Sequence, residues 1–255
     1  NGTTGGRVIL ESFGTPAQPG QIGFGDTAIA ANGDSAGRIG IYASGGNIAM
    51  TSLTAEALGV APLTNLDTDV ANTGIFFGLG GGSVTTTGAV SLTTGSSIGV
   101  YAQAGGTLAA GGDLSMQAPD EIDIRHDFRT GTAPTIASGG AMSVTAASSV
   151  RAQPGSLLSA ATSLLVNTTA SNGSVNVDAL EAGTLTLILA ENFARVGSTT
   201  SGDDLTVNAF GIEIGSANAG DDINLNGNML TLGTLTSDGS GLDSEIDGSN
   251  IFLGS

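Results

Sequence analysis

Apolar residues along this chain come in pairs two positions apart, and the pairs return every twenty residues or so. One series is Val90/Leu92, Leu114/Met116, Met142/Val144, Leu164/Val166, Leu187/Leu189, Leu205/Val207 and Ile223/Leu225. A second is Ile98/Val100, Ile122/Ile124, Val150/Ala152, Val175/Val177, Ala194/Val196, Ile212/Ile214 and Leu230/Leu232. A spacing of two puts both side chains of a pair on one side of a strand and turns their neighbours outward. Pairs of the second series follow those of the first by 7 to 11 positions, through Ser, Thr, Asn, Asp and Gly. Those residues suit a tight corner. So short a link excludes a crossover helix, which needs a dozen or more residues between parallel strands. The chain must turn and come back one layer up. The pattern predicts an all-β fold, a parallel β-helix solenoid with coils of about 18–28 residues, of the right hand that parallel crossovers favour.

The repeat is most regular towards the C-terminal end. Asp203-Asp204-Leu205-Thr206-Val207-Asn208 returns 18 residues later as Asp221-Asp222-Ile223-Asn224-Leu225-Asn226. Ile212-Glu213-Ile214-Gly215-Ser216 returns after the same step as Leu230-Thr231-Leu232-Gly233-Thr234. About a dozen coils at roughly 4.8 Å each predict a rod on the order of 60 Å long. Asn208 and Asn226 are expected to stack on adjacent coils. Residues 1–255 read as a single β-helix segment of a longer chain, with regular coils over 83–255 and less regular ones over 1–82. Arg38-Ile39-Gly40-Ile41-Tyr42 resembles Ser97-Ile98-Gly99-Val100-Tyr101, a step of 59 that is expected to span three coils. Residues 54–72, with Pro62, Asp67 and Asp69, read as an insertion, and 126–134 as a loop leaving the coil. Such excursions collect on one face of a solenoid and are common binding sites.

Composition narrows the function classes. The formal charge is −17, every basic residue is arginine, and tryptophan and cysteine are absent. Nucleic acid and anionic membrane both need basic patches, so neither is expected as a partner. Lack of cysteine excludes disulfides and thiolate metal sites, and fits an exported chain kept free of crosslinks. No run of 18 apolar residues occurs, so no helical membrane span is expected.

The segment Gly106-Thr107-Leu108-Ala109-Ala110-Gly111-Gly112-Asp113-Leu114-Ser115-Met116-Gln117-Ala118 resembles the repeats of filamentous-haemagglutinin-type exoproteins of Gram-negative bacteria. Ser138-Gly139-Gly140-Ala141-Met142-Ser143-Val144 and Ser201-Gly202-Asp203-Asp204-Leu205-Thr206-Val207 echo it, and the likeness covers most of the chain from Ser83 onward. The resemblance implies a long rod at the cell surface or outside the cell. Such a rod serves adhesion or self-association, with neighbouring coils, further copies, or a surface glycan or receptor as partners.

Two sets of side chains carry candidate chemistry. Asp203, Asp204, Asp221 and Asp222 should lie one pair above the other, and a divalent cation such as calcium would relieve their repulsion with hard oxygen ligands. The competing reading is that one Asp of each pair caps a turn by accepting backbone N–H groups. Asp120, Glu121 and Asp123 beside Arg125, His126 and Arg129 form the second set. Clustered carboxylates and an arginine would suit a polysaccharide lyase or hydrolase. Phe128 is the segment's one aromatic, however, and a sugar-cleaving site usually has more. The expectation is therefore a structural or adhesive module and not an enzyme, with the carbohydrate-active enzyme as the alternative. An ice- or mineral-binding solenoid would need regular threonine ranks, and these are too irregular.

Overall fold

The structure, a computed structural model, describes residues 7–14, 20–31, 38–58, 73–102, 104–126, 132–237 and 244–253. Every element among them is a strand. The first coil holds β1 (Arg7–Phe13), β2 (Gln21–Gly23) and β3 (Asp26–Ala30). The second holds β4 (Arg38–Ser44), β5 (Asn47–Met50) and β6 (Ser52–Ala57). Next come β7 (Thr73–Leu79), β8 (Ser83–Thr86) and β9 (Val90–Thr94), then β10 (Ser97–Ala102), β11 (Thr107–Ala110) and β12 (Leu114–Ala118). The fifth coil is β13 (Glu121–His126), β14 (Thr135–Ser138) and β15 (Met142–Ala146); the sixth is β16 (Ser149–Ala152), β17 (Leu157–Ala160) and β18 (Leu164–Thr168). From there each coil has two strands. These are β19 (Ser174–Ala182) with β20 (Thr186–Leu189), and β21 (Phe193–Ser201) with β22 (Leu205–Asn208). They continue as β23 (Gly211–Ala219) with β24 (Ile223–Asn226), and β25 (Met229–Ser237) with β26 (Glu245–Asp247). β27 (Asn250–Leu253) begins one more turn.

All strand pairings between coils are parallel, and they build three faces. The first face runs β1–β4–β7–β10–β13–β16–β19–β21–β23–β25–β27. The second runs β2–β5–β8–β11–β14–β17 and continues in the C-terminal halves of β19, β21, β23 and β25. The third contains the remaining ten strands, from β3 to β26. The chain is thus a parallel β-helix, about 50 Å long over its described coils at the usual strand spacing.

The core is a set of aliphatic ladders between the faces. Ile98, Ile122, Val150, Val175, Ala194, Ile212 and Leu230 stack in one register, all buried. Phe77 is the largest wholly buried side chain. An interior this narrow favours Val, Ile, Leu and Ala over rings, which accounts for the low aromatic content.

Several sequence expectations are corrected. The first-series pair Leu187/Leu189 points outward. In β20 the register Leu164↔Thr186↔Leu205 and Val166↔Ile188↔Val207 puts Thr186 and Ile188 inside. Thr186-Leu187-Ile188-Leu189 is nearly all apolar, so alternation alone gives no phase, and the neighbouring coils decide it. The step of 59 spans two coils, because Ile39 lies beside Ile75 and Ile75 beside Ile98. Thr54–Ala57, expected in an insertion, continue strand β6; residues 59–72, with Pro62, Asp67 and Asp69, lie outside the described part. Of the expected loop 126–134, His126 ends β13, while 127–131 lie outside it. Asn208 and Asn226 do share a register position.

Where the coils shorten, two faces are carried by one strand. In β21, β23 and β25 the ladder skips a single residue at the bend, Gly197, Gly215 and Gly233 in turn. A Cβ on Gly233 would sit 2.0 Å from the Gly215 carbonyl oxygen, so this corner closes only without a side chain.

Candidate binding groove on the first face

Five of the six arginines lie in strands of the first face: Arg7, Arg38, Arg125, Arg151 and Arg195. The sixth, Arg129, lies outside the described part. In a chain of net charge −17 this is a strong segregation. Strand alternation explains how Arg151 and Arg195 reach the surface. Asp123, Arg151, Asn176, Arg195 and Glu213 share one outward column, one residue from the buried ladder. A second outward column carries Glu121, Ser149, Ser174 and Phe193.

Between these columns and the corner at Gln153 and Pro154 is a groove of about 750 Å³, lined by Arg125, Arg151, Arg195, Glu121, Asp123 and Phe193 among others. That volume lies within the range of about 300–1,000 Å³ typical of ligand clefts. At one end, Asp123 and Arg125 meet Tyr101. Arg125 Nε is 3.2 Å from Asp123 Oδ2, the Tyr101 hydroxyl donates to the same oxygen at 3.4 Å, and Arg125 Nη2 donates to the Tyr101 hydroxyl. The guanidinium also lies over the Tyr101 ring, 4.1 Å from its centroid. Burial pushes the Asp123 carboxyl above the usual range, against the pull of Arg125. Burial and then the Asp123 charge push the Tyr101 phenol up to about 12. Behind Tyr101 the rings continue along the face: Phe76 is 5.0 Å from Tyr101 and 5.5 Å from Tyr42, both tilted pairs.

At the other end, Phe193 lies across the next coil, where Gly211 leaves room. A Cβ at Gly211 would be 2.5 Å from the Phe193 ring. Phe193 is 37% exposed and contributes an aromatic surface to the groove. Arg195 beside it reaches Glu213 Oε1 through Nε at 3.0 Å and Nη2 at 2.6 Å. Arg151 is 3.9 Å from Glu121 Oε2, a loose pair. Gln153, in the lining, has a buried Oε1 with no hydrogen-bond partner among the described residues.

The sequence-predicted residues divide. Glu121, Asp123 and Arg125 come together in the groove. Asp120 does not line it; its carboxylate accepts the Ser97 and Ser148 hydroxyls at 3.3 and 3.1 Å and ties three coils at a turn. Phe128, Arg129 and the His126 side chain lie outside the described part. Sequence reading missed Tyr101, Arg151, Phe193 and Arg195, which sit on three different coils. The available signal was the repeat itself, since the registers place 123, 151 and 195 in one column. On the opposite flank, carboxylate oxygens of Asp203, Asp204 and Asp221 lie within 4.8 Å of one another. Asp222 is not part of that group; its N–H donates to Asp204 Oδ1 at 3.2 Å.

No helix among the described residues is long and apolar enough to cross a membrane. Comparison with known proteins adds no relative: no family model matches the chain, and no curated protein or solved structure is significantly similar to it.

Proposed function

We propose that the chain is a structural and adhesive module, a rod section of a large secreted or cell-surface bacterial protein. The observation that carries this reading is the uninterrupted parallel stack from β1 to β27 on a single axis. Among the described residues, apolar side chains of β1 and β3 (Val8, Leu10, Ile29) and of β26 and β27 (Ile246, Ile251) are only partly covered. Partly covered apolar side chains of this kind favour further stacking, by neighbouring coils or another copy. The likeness to filamentous-haemagglutinin-type repeats and the cysteine-free composition support a location outside a Gram-negative cell. The acidic surface opposes nucleic acid as a partner. Electron microscopy of the native protein tests the reading. Long shafts or continuous fibres on the cell surface support it; a short, discrete particle confined to the cytosol refutes it.

A second reading, a carbohydrate-active enzyme, is favoured by the Tyr101–Asp123–Arg125 cluster at the mouth of a groove. A carboxyl with a raised pKa is suited to give a proton to a leaving sugar oxygen. Release of unsaturated or reducing ends from uronate polymers, lost in Asp123→Asn, would establish it; no release from a polysaccharide panel removes it.

A further inference from the structure

We infer that the groove on the first face binds a carboxylate-bearing oligosaccharide. The chain lies along the coil axis across β13, β16, β19 and β21, with acid groups on Arg151 and Arg195 and a sugar ring on Phe193. This goes beyond the rod reading by naming what the shaft holds and where.

Three features of the groove fit this ligand together. The first is charge: three arginines face two carboxylates in the lining, on a molecule whose charge elsewhere is strongly negative. A guanidinium has five N–H donors and grips a carboxylate through two of them. Arg195 uses two on Glu213 and Arg151 is only loosely paired, and both heads are more than half exposed. The second is the mixture itself. Glu121 and Asp123 among the arginines disfavour a polyanion without donors, such as polyphosphate, more than an acidic sugar chain, whose hydroxyl groups they accept between its charges. Ser148, Ser149, Ser174, Asn172 and Asn176 add small polar groups of the same use. The third is Phe193, a partly exposed ring in the lining that packs against Gly211 and offers apolar surface to a pyranose.

The geometry also sets the ligand's direction. Arg151 and Arg195 stand in one column two coils apart, with Asn176 between them. Two coil spacings amount to roughly 10 Å. An extended acidic sugar chain can place charged groups at that separation, whereas a single monosaccharide cannot reach both. Affinity should therefore rise steeply from monomer to oligomer.

Titration calorimetry on the purified chain tests this with oligogalacturonate, its monomer, the neutral galactose oligomer of equal length, and polyphosphate. The expected result is binding of oligogalacturonate at least about ten-fold tighter than of the monomer or the neutral oligomer, as charge-assisted pairs require. The Arg151→Gln/Arg195→Gln double variant should lose about ten-fold or more, and Phe193→Ala several-fold, with melting curves close to the parent's. Absence of oligogalacturonate binding at millimolar concentration overturns the inference. So does equal binding of the neutral oligomer, equal binding of polyphosphate, or unchanged affinity in the double variant. Each of these outcomes leaves the rod reading intact, because microscopy of the native particle decides that separately.

Discussion

Gly202→Ala tests the idea that coil corners close by backbone contact. Gly202 follows the second-face segment of β21, and its N–H donates to Ala182 O at 2.9 Å. A Cβ built there would stand 2.0 Å from the Gly183 oxygen and 2.8 Å from its carbon. Both are backbone atoms, held in turn by the Gly183 N–H on Ala160 O at 3.0 Å, so no side chain can swing aside. The coil above is locked too, since Gly220 N–H donates to Ser201 O at 3.0 Å. The same column contains one alanine, Ala161, between Gly139 and Gly183, so a coil can shift enough to take a methyl group. The cost should then stay within the range for overpacking, about 1–3 kcal/mol, and not unfold the rod. For a chain of this size that lowers Tm by roughly 2–12 °C, allowing about 2–4 °C per kcal/mol. The control is Gly25→Ala, where nothing lies within 4 Å of the added carbon. It should change stability by less than about 0.5 kcal/mol. Thermal melting followed by circular dichroism reads both variants. Equal Tm for Gly202→Ala and Gly25→Ala would refute the argument that the corner is sterically closed.

Other consequences are as direct. Thr186 is fully buried between Leu164 and Leu205, and its hydroxyl has no partner among the described residues. Thr186→Val should raise stability by about 1 kcal/mol by removing an unsatisfied polar group, and a lower Tm would show that the hydroxyl is paired. Phe77→Ala should cost about 3–5 kcal/mol through lost burial and the cavity left behind; a loss below 1 kcal/mol would mean that the coils collapse into the space. Asp123 has a raised pKa, so between the ordinary carboxyl value and the raised one the folded chain binds more protons than the unfolded chain. Stability from this group is therefore greatest below that window and falls as pH rises through it. Asp123→Asn should remove that component, and identical stability–pH slopes for parent and variant would disprove it. Tyr101 should ionise only around pH 12. In Tyr42→Phe it is the remaining tyrosine, and its absorbance titration should show this; a midpoint near 10 would contradict its burial beside Asp123.

Alternation made the first and third faces legible in sequence, because Ile98/Val100 or Met142/Val144 give each strand two large apolar residues. The second face escaped. Its strands read Thr107-Leu108-Ala109-Ala110 and Thr135-Ile136-Ala137-Ser138, with one large residue each, too little for a period-2 signal. Leu187 and Leu189 misled because their strand is apolar on both sides and its phase comes from β18 and β22. The carboxylate side of the groove was visible as the run Glu121–Arg125. The rest of its arginine and aromatic side was not, since 101, 151, 193 and 195 become neighbours of that run only once coils of unequal length are stacked in register.

Coil length, described above as a matter of geometry, also ranks the order in which the chain can assemble. Closing a loop loses entropy as the logarithm of its length. An 18-residue turn, as from Ile212 to Leu230, therefore closes with about 0.4 kcal/mol less penalty than the 28-residue turn from Ile122 to Val150. The difference is negligible in equilibrium stability, but it repeats from Val175 to Leu230, where the corner between the first two faces is one residue. Nucleation is thus cheapest among β19 to β25. Each finished turn there exposes a template edge for the next, and growth proceeds toward β1 as a zipper, with the 36-residue turn from Ile39 to Ile75 as its slowest tooth.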